Sequence, residues 1–168
     1  DAPERDDPQT MGDLTDRAVT WLEKHANLPA PFFLYYAPVA VHELITPSAE
    51  SRGSSPAGPY GDFIHDLDRS VGRILAALEK QNTLADTLIV FTSDNGGVVN
   101  PGSRTGANTV AMDAGLKING ALRGGKHDIW EGGFKVPFLA HWPARIPAGT
   151  TSQEMIGLVD VFATVAAL

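Results

Sequence analysis

Two oxygen-bearing side chains, Asp94 and Asn95, stand directly after an apolar run of strand length, TLIVFTS at 87–93. A carboxylate and a carboxamide are hard donors, which suit Ca²⁺ or Mg²⁺ better than zinc. Gly96 and Gly97 follow, and residues without a Cβ let the backbone turn close to a ligand. The pattern predicts part of a divalent-metal site, because Ca²⁺ takes about 6–8 oxygen ligands. A strand-ending Asx turn would use the same residue types.

Two further side chains have the chemistry to act on an anion. Lys126 follows the tripeptide Arg-Gly-Gly at 123–125, whose flexible backbone would let an ammonium group reach an oxyanion. His42 lies in a loop shortly after the apolar run PFFLYYA at 31–37. An imidazole there could give a proton to a leaving group near neutral pH. Each of the two, taken alone, is also typical of a solvated surface side chain.

The segment that contains most of these residues, 93–135, differs in composition from the rest of the chain. It holds ten of the seventeen glycines and carries a balance of +1, while the whole chain carries −7. A locally cationic loop in an acidic protein favours an anionic ligand, although an ordinary surface loop can have the same charges. Long loops without periodicity are more often functional than idle.

Alternating helices and strands are expected to position these groups. The apolar spacing predicts helices over about 12–26 and 59–81, a strand buried on both faces at 31–37, a second buried strand at 87–93, a third strand at 136–142, and a last strand end and helix from Leu158. This order predicts an α/β fold with a mostly parallel central sheet sandwiched by helices. Ligands collect beyond the carboxyl ends of such strands, so His42 and Asp94–Asn95 are expected at one rim of the sheet.

The other histidines receive structural interpretations. His65 lies beside the apolar stripe of its helix, and His127 reads as a solvated residue beside Asp128. His141 falls in a predicted buried strand and is expected to be a hydrogen-bonded core residue.

Composition excludes several classes of function. The 168 residues include 20 acidic and 13 basic side chains, which argues against a nucleic-acid partner because phosphate contacts need clustered cations. No apolar run approaches the length of a membrane span. The chain has no cysteine, so disulfides, thiolate zinc sites and a cysteine nucleophile are excluded within these residues. The last residues, VDVFATVAAL, run on in a helical pattern without a stop signal, and we expect the chain to be cut from something longer.

Four segments resemble the sulfatase family and occur in the same order along the chain. They are PFFLYYAPVAVH at 31–42, GPYGDFIHDLDRSVGRILAALE at 58–79, TSDNGG at 92–97, at the end of the predicted strand 87–93, and NGALRGGKHDIWEGGFKVPFLAHWPARIPAG at 119–149. The resemblance covers about residues 12–168 and matches the later part of a sulfatase catalytic domain. It implies an α/β fold of the alkaline-phosphatase type, with 1–168 as a partial domain that lacks its N-terminal part.

The resemblance also implies roles for individual residues. Asp94 and Asn95 match metal ligands of the family, usually for Ca²⁺, with Mg²⁺ as the other possibility. Lys126 matches the lysine that holds sulfate oxygens, and His42 matches the histidine that contacts sulfate and assists departure of the alcohol. In place of the common proline two residues after that histidine stands Leu44.

The family's nucleophile is a formylglycine made from Cys or Ser in a Cys/Ser-x-Pro/Ala-x-Arg motif, and this sequence does not contain it. Ser48 and Arg52 have the right separation, but Glu50 stands where Pro or Ala belongs, and the string follows His42 instead of preceding it. Asp6-Asp7 matches the early metal-binding pair of the family only as letters. Formylglycine is therefore expected in the missing part.

The resulting expectation is a sulfuric ester hydrolase fragment, inactive alone, that acts on a small-molecule or saccharide sulfate ester. One alternative is a phosphate or phosphonate hydrolase of the same superfamily. Its two-metal members tend to carry Asp-His where Asp94-Asn95 stands. The other alternative is a truncated relative without catalysis. Family habit suggests a periplasmic or secreted protein.

Overall fold

Two long helices, a two-stranded sheet and three shorter α-helices are the main elements of the residues that the structure describes. The computed structural model describes residues 8–99 and 106–168. Its elements are α1 (Thr10–His25), α2 (Gly58–Lys80), a 3₁₀ turn (Leu84–Asp86), β1 (Ile89–Thr92), α3 (Ala107–Asp113), α4 (Glu131–Phe134), β2 (Phe138–His141) and α5 (Val159–Ala167). The helices predicted at 12–26 and 59–81 and the strands predicted at 87–93 and 136–142 are confirmed with shifted ends, but the burial expected of the strands is not, because β1 is only partly buried and β2 is mostly exposed. Asp6, Asp7 and Arg104 lie outside the described residues.

Helices α1 and α2 pack against each other along their apolar faces. Leu22 of α1 and Leu78 of α2 are almost fully buried in the same cluster, because each helix carries apolar residues at helical spacing. Lys80 Nζ lies 2.9 Å from Glu23 Oε1 at the rim of this contact, where both side chains are partly exposed. Such exposed pairs contribute little, so burial of the apolar faces holds the two helices together.

The segment 31–37 crosses this helix pair as extended chain but differs from its prediction. Phe32 and Leu34 pack against the α1–α2 cluster, whereas Phe33 and Tyr35 are 65% and 81% exposed. Within the described part of the chain no strand pairs with this segment. The prediction of a strand buried on both faces is therefore wrong here: without a neighbouring ladder, only the alternate residues that face the helices are covered.

Strands β1 and β2 form the sheet of the described residues, and they run antiparallel with Val90 opposite Ala140. The expected sheet is mostly parallel, and this pair is an antiparallel part of it because of the connection between the two strands. Gly96 N–H donates to Gly133 O at 2.9 Å, so the chain returns to the end of β1 that it left. β2 therefore begins where β1 ends and runs back along it.

The C-terminal part is more exposed than the sequence indicated. His141 is exposed on β2, so its interpretation as a core histidine is wrong; the outer strand has only β1 beside it. From Leu158 the chain forms helix α5 without the strand end that was expected, and Phe162 on that helix is 83% exposed. In the described ranges no helix combines the length and apolar character needed to cross a membrane.

Candidate active site

The main chain around His42 is held by the core, while its imidazole lies at the surface. Val41 packs against the cluster that contains Phe63, which is 1% exposed. The His42 N–H donates to Val39 O at 2.8 Å and closes a turn. The Nδ1 atom lies 2.7 Å from Glu43 O. Because a carbonyl oxygen can only accept, Nδ1 carries the proton, and in the neutral ring Nε2 is then the acceptor.

Lys126 meets that acceptor from a distant part of the chain. Its Nζ lies 3.2 Å from His42 Nε2, although 84 positions separate the two residues. The Lys126 main chain is fixed as well, because its N–H donates to Gly97 O at 3.1 Å. The structure thus brings two sequence-predicted groups, His42 and Lys126, into direct contact.

Asp94 and Asn95 form the turn that leaves β1. Ser93 Oγ donates to Asn95 O at 2.9 Å, and Asn95 Nδ2 donates to Gly96 O at 2.9 Å. In residues 8–99 and 106–168, the Asp94 carboxylate and Asn95 Oδ1 have no hydrogen-bond partner. Asp94 is exposed. The turn therefore presents oxygen atoms that are not committed to holding its own shape.

These oxygens fit part of the coordination shell of a hard divalent cation. Carboxylate and carboxamide oxygens are the ligands that Ca²⁺ and Mg²⁺ take. Across the described ranges, however, no group of three or more acidic, histidine or cysteine side chains is placed to hold a metal ion. Asp94 and Asn95 thus fit as two ligands of a larger set.

Three glycine pairs bring the Asp94–Asn95 turn next to Lys126. We call them the glycine junction: Gly96-Gly97, Gly124-Gly125 and Gly132-Gly133. A Cβ on Gly96 would lie 1.7 Å from Gly132 O, and a Cβ on Gly132 would lie 2.1 Å from Gly124 O. Gly124 also has a φ of 76°, which is in the left-handed region that favours glycine. No side chain fits at this crossing, so three backbone segments approach within hydrogen-bond distance.

Asn119 connects the segments of the glycine junction through hydrogen bonds, and it was not among the residues predicted from the sequence. Its Oδ1 accepts from Gly97 N–H at 2.8 Å, while its Nδ2 donates to Gly97 O at 2.9 Å and to Gly124 O at 3.0 Å. The available signal was an Asn-Gly pair just before Arg-Gly-Gly-Lys in a glycine-rich segment. An Asn-Gly pair usually indicates only a turn, so the signal is weak.

Other polar residues considered from sequence have structural contacts. Ser48 and Ser51 both donate hydroxyl hydrogen bonds to Asp66 Oδ1, and Ser51 is fully buried. This agrees with the rejection of the 48–52 string as a nucleophile motif. His65 Nδ1 lies 2.7 Å from Ser54 Oγ, which agrees with its structural interpretation.

His127 and Glu131 flank the site without entering it. His127 is exposed and has a φ of 77°. Glu131 begins helix α4 and lies 3.7 Å from Lys135 Nζ at the surface. Gly132 and Gly133, which follow, are buried in the glycine junction.

The chain matches known proteins over nearly its full length. The sulfatase family model matches residues 4–168. A steryl-sulfatase of Mus musculus is 38% identical over 159 residues, which cover 92% of this chain and 24% of that protein. An N-acetylgalactosamine-6-sulfatase of Canis lupus familiaris is 35% identical over 147 residues, which cover 88% of this chain and 26% of that protein. The chain therefore spans about a quarter of the length of these curated relatives.

Solved structures agree with the sequence comparison. A PsFucS1 sulfatase from Pseudoalteromonas sp. superposes with a TM-score of 0.82 at 28% identity, over 95% of this chain and 30% of that one. A complex of Ps i-CgsB with k-i-k-neocarrahexaose gives a TM-score of 0.78 at 34% identity, over 94% of this chain and 33% of that one. The described α/β arrangement is thus a partial domain of the alkaline-phosphatase-like fold that these structures have.

Proposed function

We propose that this chain, which belongs to the sulfatase family, supplies the anion-binding side of an active site that hydrolyses sulfate esters. The observation that carries the proposal is the 3.2 Å contact between Lys126 Nζ and His42 Nε2. Lys126 N–H is bonded in turn to Gly97 O at 3.1 Å, next to the Asp94–Asn95 turn. These contacts support a site in which a cationic group and an imidazole lie beside the turn that carries the Asp94 and Asn95 oxygens.

Lys126 and His42 have complementary tasks in this proposal. The Lys126 ammonium binds and orients sulfate oxygens as a compact positive charge. His42 contacts the ester from its Nε2 side, with the ring orientation fixed by the Nδ1–H bond to Glu43 O. When an oxyanion enters, Lys126 can turn its donors to the sulfate, and a protonated Nε2 can deliver its proton to the departing alkoxide.

Asp94 and Asn95 would hold a divalent cation, for which we propose Ca²⁺. Sulfatases in general use a metal ion together with formylglycine. A cation held by Asp94 and Asn95 would supply positive charge for the sulfate oxygens. This chain contributes two of the oxygen ligands, and formylglycine is proposed to come from residues outside this sequence.

A saccharide sulfate ester is the substrate class that we favour over a small aryl sulfate. An N-acetylgalactosamine-6-sulfatase is among the similar proteins, and a similar solved structure holds k-i-k-neocarrahexaose. The steryl-sulfatases at comparable identity keep a small-molecule ester as the second choice.

The test measures sulfate binding by the 168-residue chain. Labelled protein is titrated with sodium sulfate at constant ionic strength, and binding is monitored through its NMR chemical shifts. We expect sulfate to shift the Lys126 and His42 resonances in one saturable process. Lys126→Ala should weaken this binding at least about tenfold, because it removes the charge that faces the anion. Lys117→Ala is the matched control, since it removes the same charge from an exposed position of the same segment.

The outcomes separate the candidate functions. Binding unaffected by Lys126→Ala would contradict the proposal, and equal or stronger binding of phosphate or methylphosphonate would favour the phosphate or phosphonate hydrolases. Turnover of an aryl sulfate by this chain is not expected, because the sequence has no formylglycine motif. Turnover that Lys126→Ala abolishes would uphold the sulfatase function and place the nucleophile within these residues.

A further inference from the structure

The side chain of Asn119 joins two backbone segments that carry different parts of the site. It bonds Gly97 twice, as acceptor from N–H and as donor to O, at 2.8 and 2.9 Å. Its third bond, from Nδ2 to Gly124 O at 3.0 Å, reaches the loop that leads to Lys126. Gly97 lies two residues after Asn95. One amide group thus links the proposed cation ligands with the proposed anion-binding lysine.

The direction of these bonds requires an amide. Gly97 N–H needs an acceptor, whereas Gly97 O and Gly124 O need donors, so the oxygen and nitrogen of Asn119 cannot be exchanged. A carboxylate of the same shape would keep the bond from Gly97 N–H but would set negative oxygen against two carbonyl oxygens. An alanine would leave all three backbone groups without this partner.

We propose that Asn119 is a positioning residue that couples the Asp94–Asn95 turn to Lys126. Gly97 O is the shared point, because it accepts from both Asn119 Nδ2 and Lys126 N–H. The amide therefore fixes the distance between the Asp94–Asn95 turn and the Lys126 main chain. It does so without contacting the cation or the anion that these residues would bind. This inference rests on the proposed function, since it concerns the geometry that sulfate and Ca²⁺ would meet.

The experiment compares three variants of the 168-residue chain: Asn119→Ala, Asn119→Asp and Asn108→Ala. Asn108 Nδ2 donates to Val98 O at 3.2 Å, so its variant removes an amide bond to the same segment but not the link to Gly124. The probes are inorganic sulfate and CaCl₂, titrated separately by NMR and calorimetry. Substituting a residue that orients ligand-binding groups, without contacting the ligand itself, typically lowers affinity by about 10–100-fold.

We expect Asn119→Ala and Asn119→Asp to weaken sulfate binding at least about tenfold and Ca²⁺ binding in the same direction, while Asn108→Ala leaves both within about twofold. In a double-mutant cycle, Asn119→Ala should cost nothing further once Lys126 is alanine, because it acts through Lys126. Hydrogen exchange at the Lys126 amide should accelerate more than exchange in α1 and α2.

Three results would overturn the inference: affinities of the Asn119→Asp variant equal to those of the parent, equal losses in the Asn119 and Asn108 variants, or additive losses in the double-mutant cycle. If Asn119→Ala does not fold, Asn119→Asp decides, because it keeps the size of the side chain. If the parent chain binds no sulfate, the proposed function itself is contradicted. If the parent binds sulfate and the Asn119 variants bind it equally well, only the role of Asn119 is contradicted.

Discussion

His42 and Lys126 approach each other through nitrogen atoms, and their protonation decides what the pair can bind. With Nδ1–H bonded to Glu43 O, Nε2 of the neutral ring accepts from the ammonium group at 3.2 Å. If Nε2 is protonated, both groups become donors and repel each other unless an anion lies between them. The pair is therefore suited to closing around an oxyanion.

At the residue scale, Asp94→Ala is expected to weaken Ca²⁺ binding at least about tenfold, because it removes a charged oxygen ligand. Its effect on the free energy of unfolding should stay within about 0.5 kcal/mol, since the side chain is exposed and has no partner among the described residues. Calorimetric titration with CaCl₂ and urea unfolding measure the two quantities. Asp113→Ala removes another exposed carboxylate and serves as control; equal Ca²⁺ affinity in parent and Asp94→Ala would refute the assignment.

Residue types could indicate Asp94, Asn95, Lys126 and His42, because each carries a group that can bind a cation, bind an anion or transfer a proton and each follows an apolar run or a glycine pair. The contact between His42 and Lys126 could not be predicted from spacing, since 84 positions separate them. Asn119 escaped notice for a different reason. Its role depends on which backbone groups surround it, and those groups come from Gly97 and Gly124.

At the scale of elements, α2 anchors the loop that follows His42 through two buried carboxylates. Asp66 accepts from Ser48 N–H at 2.7 Å and from the hydroxyl groups of Ser48 and Ser51. Asp62 accepts from Gly53 N–H and Ser55 N–H, both at 2.8 Å. The loop therefore has a defined course without any helix or strand of its own.

Asp66→Ala is expected to lower the free energy of unfolding by about 2–4 kcal/mol. The substitution leaves the part-buried Ser48 N–H and two hydroxyl groups without their acceptor. A fully buried group that loses its partner costs on the order of 1–3 kcal/mol, and the part-buried Ser48 groups recover some of that cost from water. Chemical denaturation monitored by circular dichroism measures the change. Asp68→Ala, at an exposed position of the same helix, should change stability by less than about 0.5 kcal/mol; similar losses for both would contradict the anchoring role.

The two long helices could be predicted because their apolar residues recur at a period of 3.6. The extended segment 31–37 could not be assigned correctly, since an apolar run looks the same whether both faces or only one is covered. The short helices α3 and α4 were missed because neither has enough turns to show a period. Their ends are set by contacts such as the Gly133 O to Gly96 N–H bond.

At the scale of the molecule, Tyr60 in the first turn of α2 contributes a pH-dependent part of stability. The side chain is buried, and burial raises its pKa because the phenolate would lose its solvation. A raised pKa in the folded state means that this contribution is complete below the unfolded pKa of about 10. It is lost as the pH rises through the folded value, because the unfolded chain ionises first.

Stability of the parent is therefore expected to fall above about pH 10 more steeply than stability of Tyr60→Phe. The difference between the two unfolding curves isolates the contribution of the Tyr60 hydroxyl from every group that the two proteins share. Tyr35, which is 81% exposed, provides the control variant Tyr35→Phe, for which the slope should match the parent. A parallel decline for parent and Tyr60→Phe between pH 9 and 11 would show that the buried hydroxyl is not responsible.

The α/β class follows from the order of apolar runs, but the direction of the strand pair does not. Antiparallel pairing of β1 and β2 goes with the contacts of the glycine junction, such as Gly96 N–H to Gly133 O, which no local pattern reveals. The contact between α2 and α3 similarly depends on that route. The sequence therefore indicated the long helices and the two paired strands, while long-range backbone contacts decided how they meet.

A crossing made of bare main chain cannot be repaired by trading one side chain for another. At Gly96 and Gly132 even a methyl group would have to displace a peptide unit of a neighbouring segment. A substitution at one of these glycines therefore cannot be compensated by a smaller side chain nearby. Diversification is then channelled into the surrounding loops. Such a corner can stay fixed through evolutionary change while the loops around it vary.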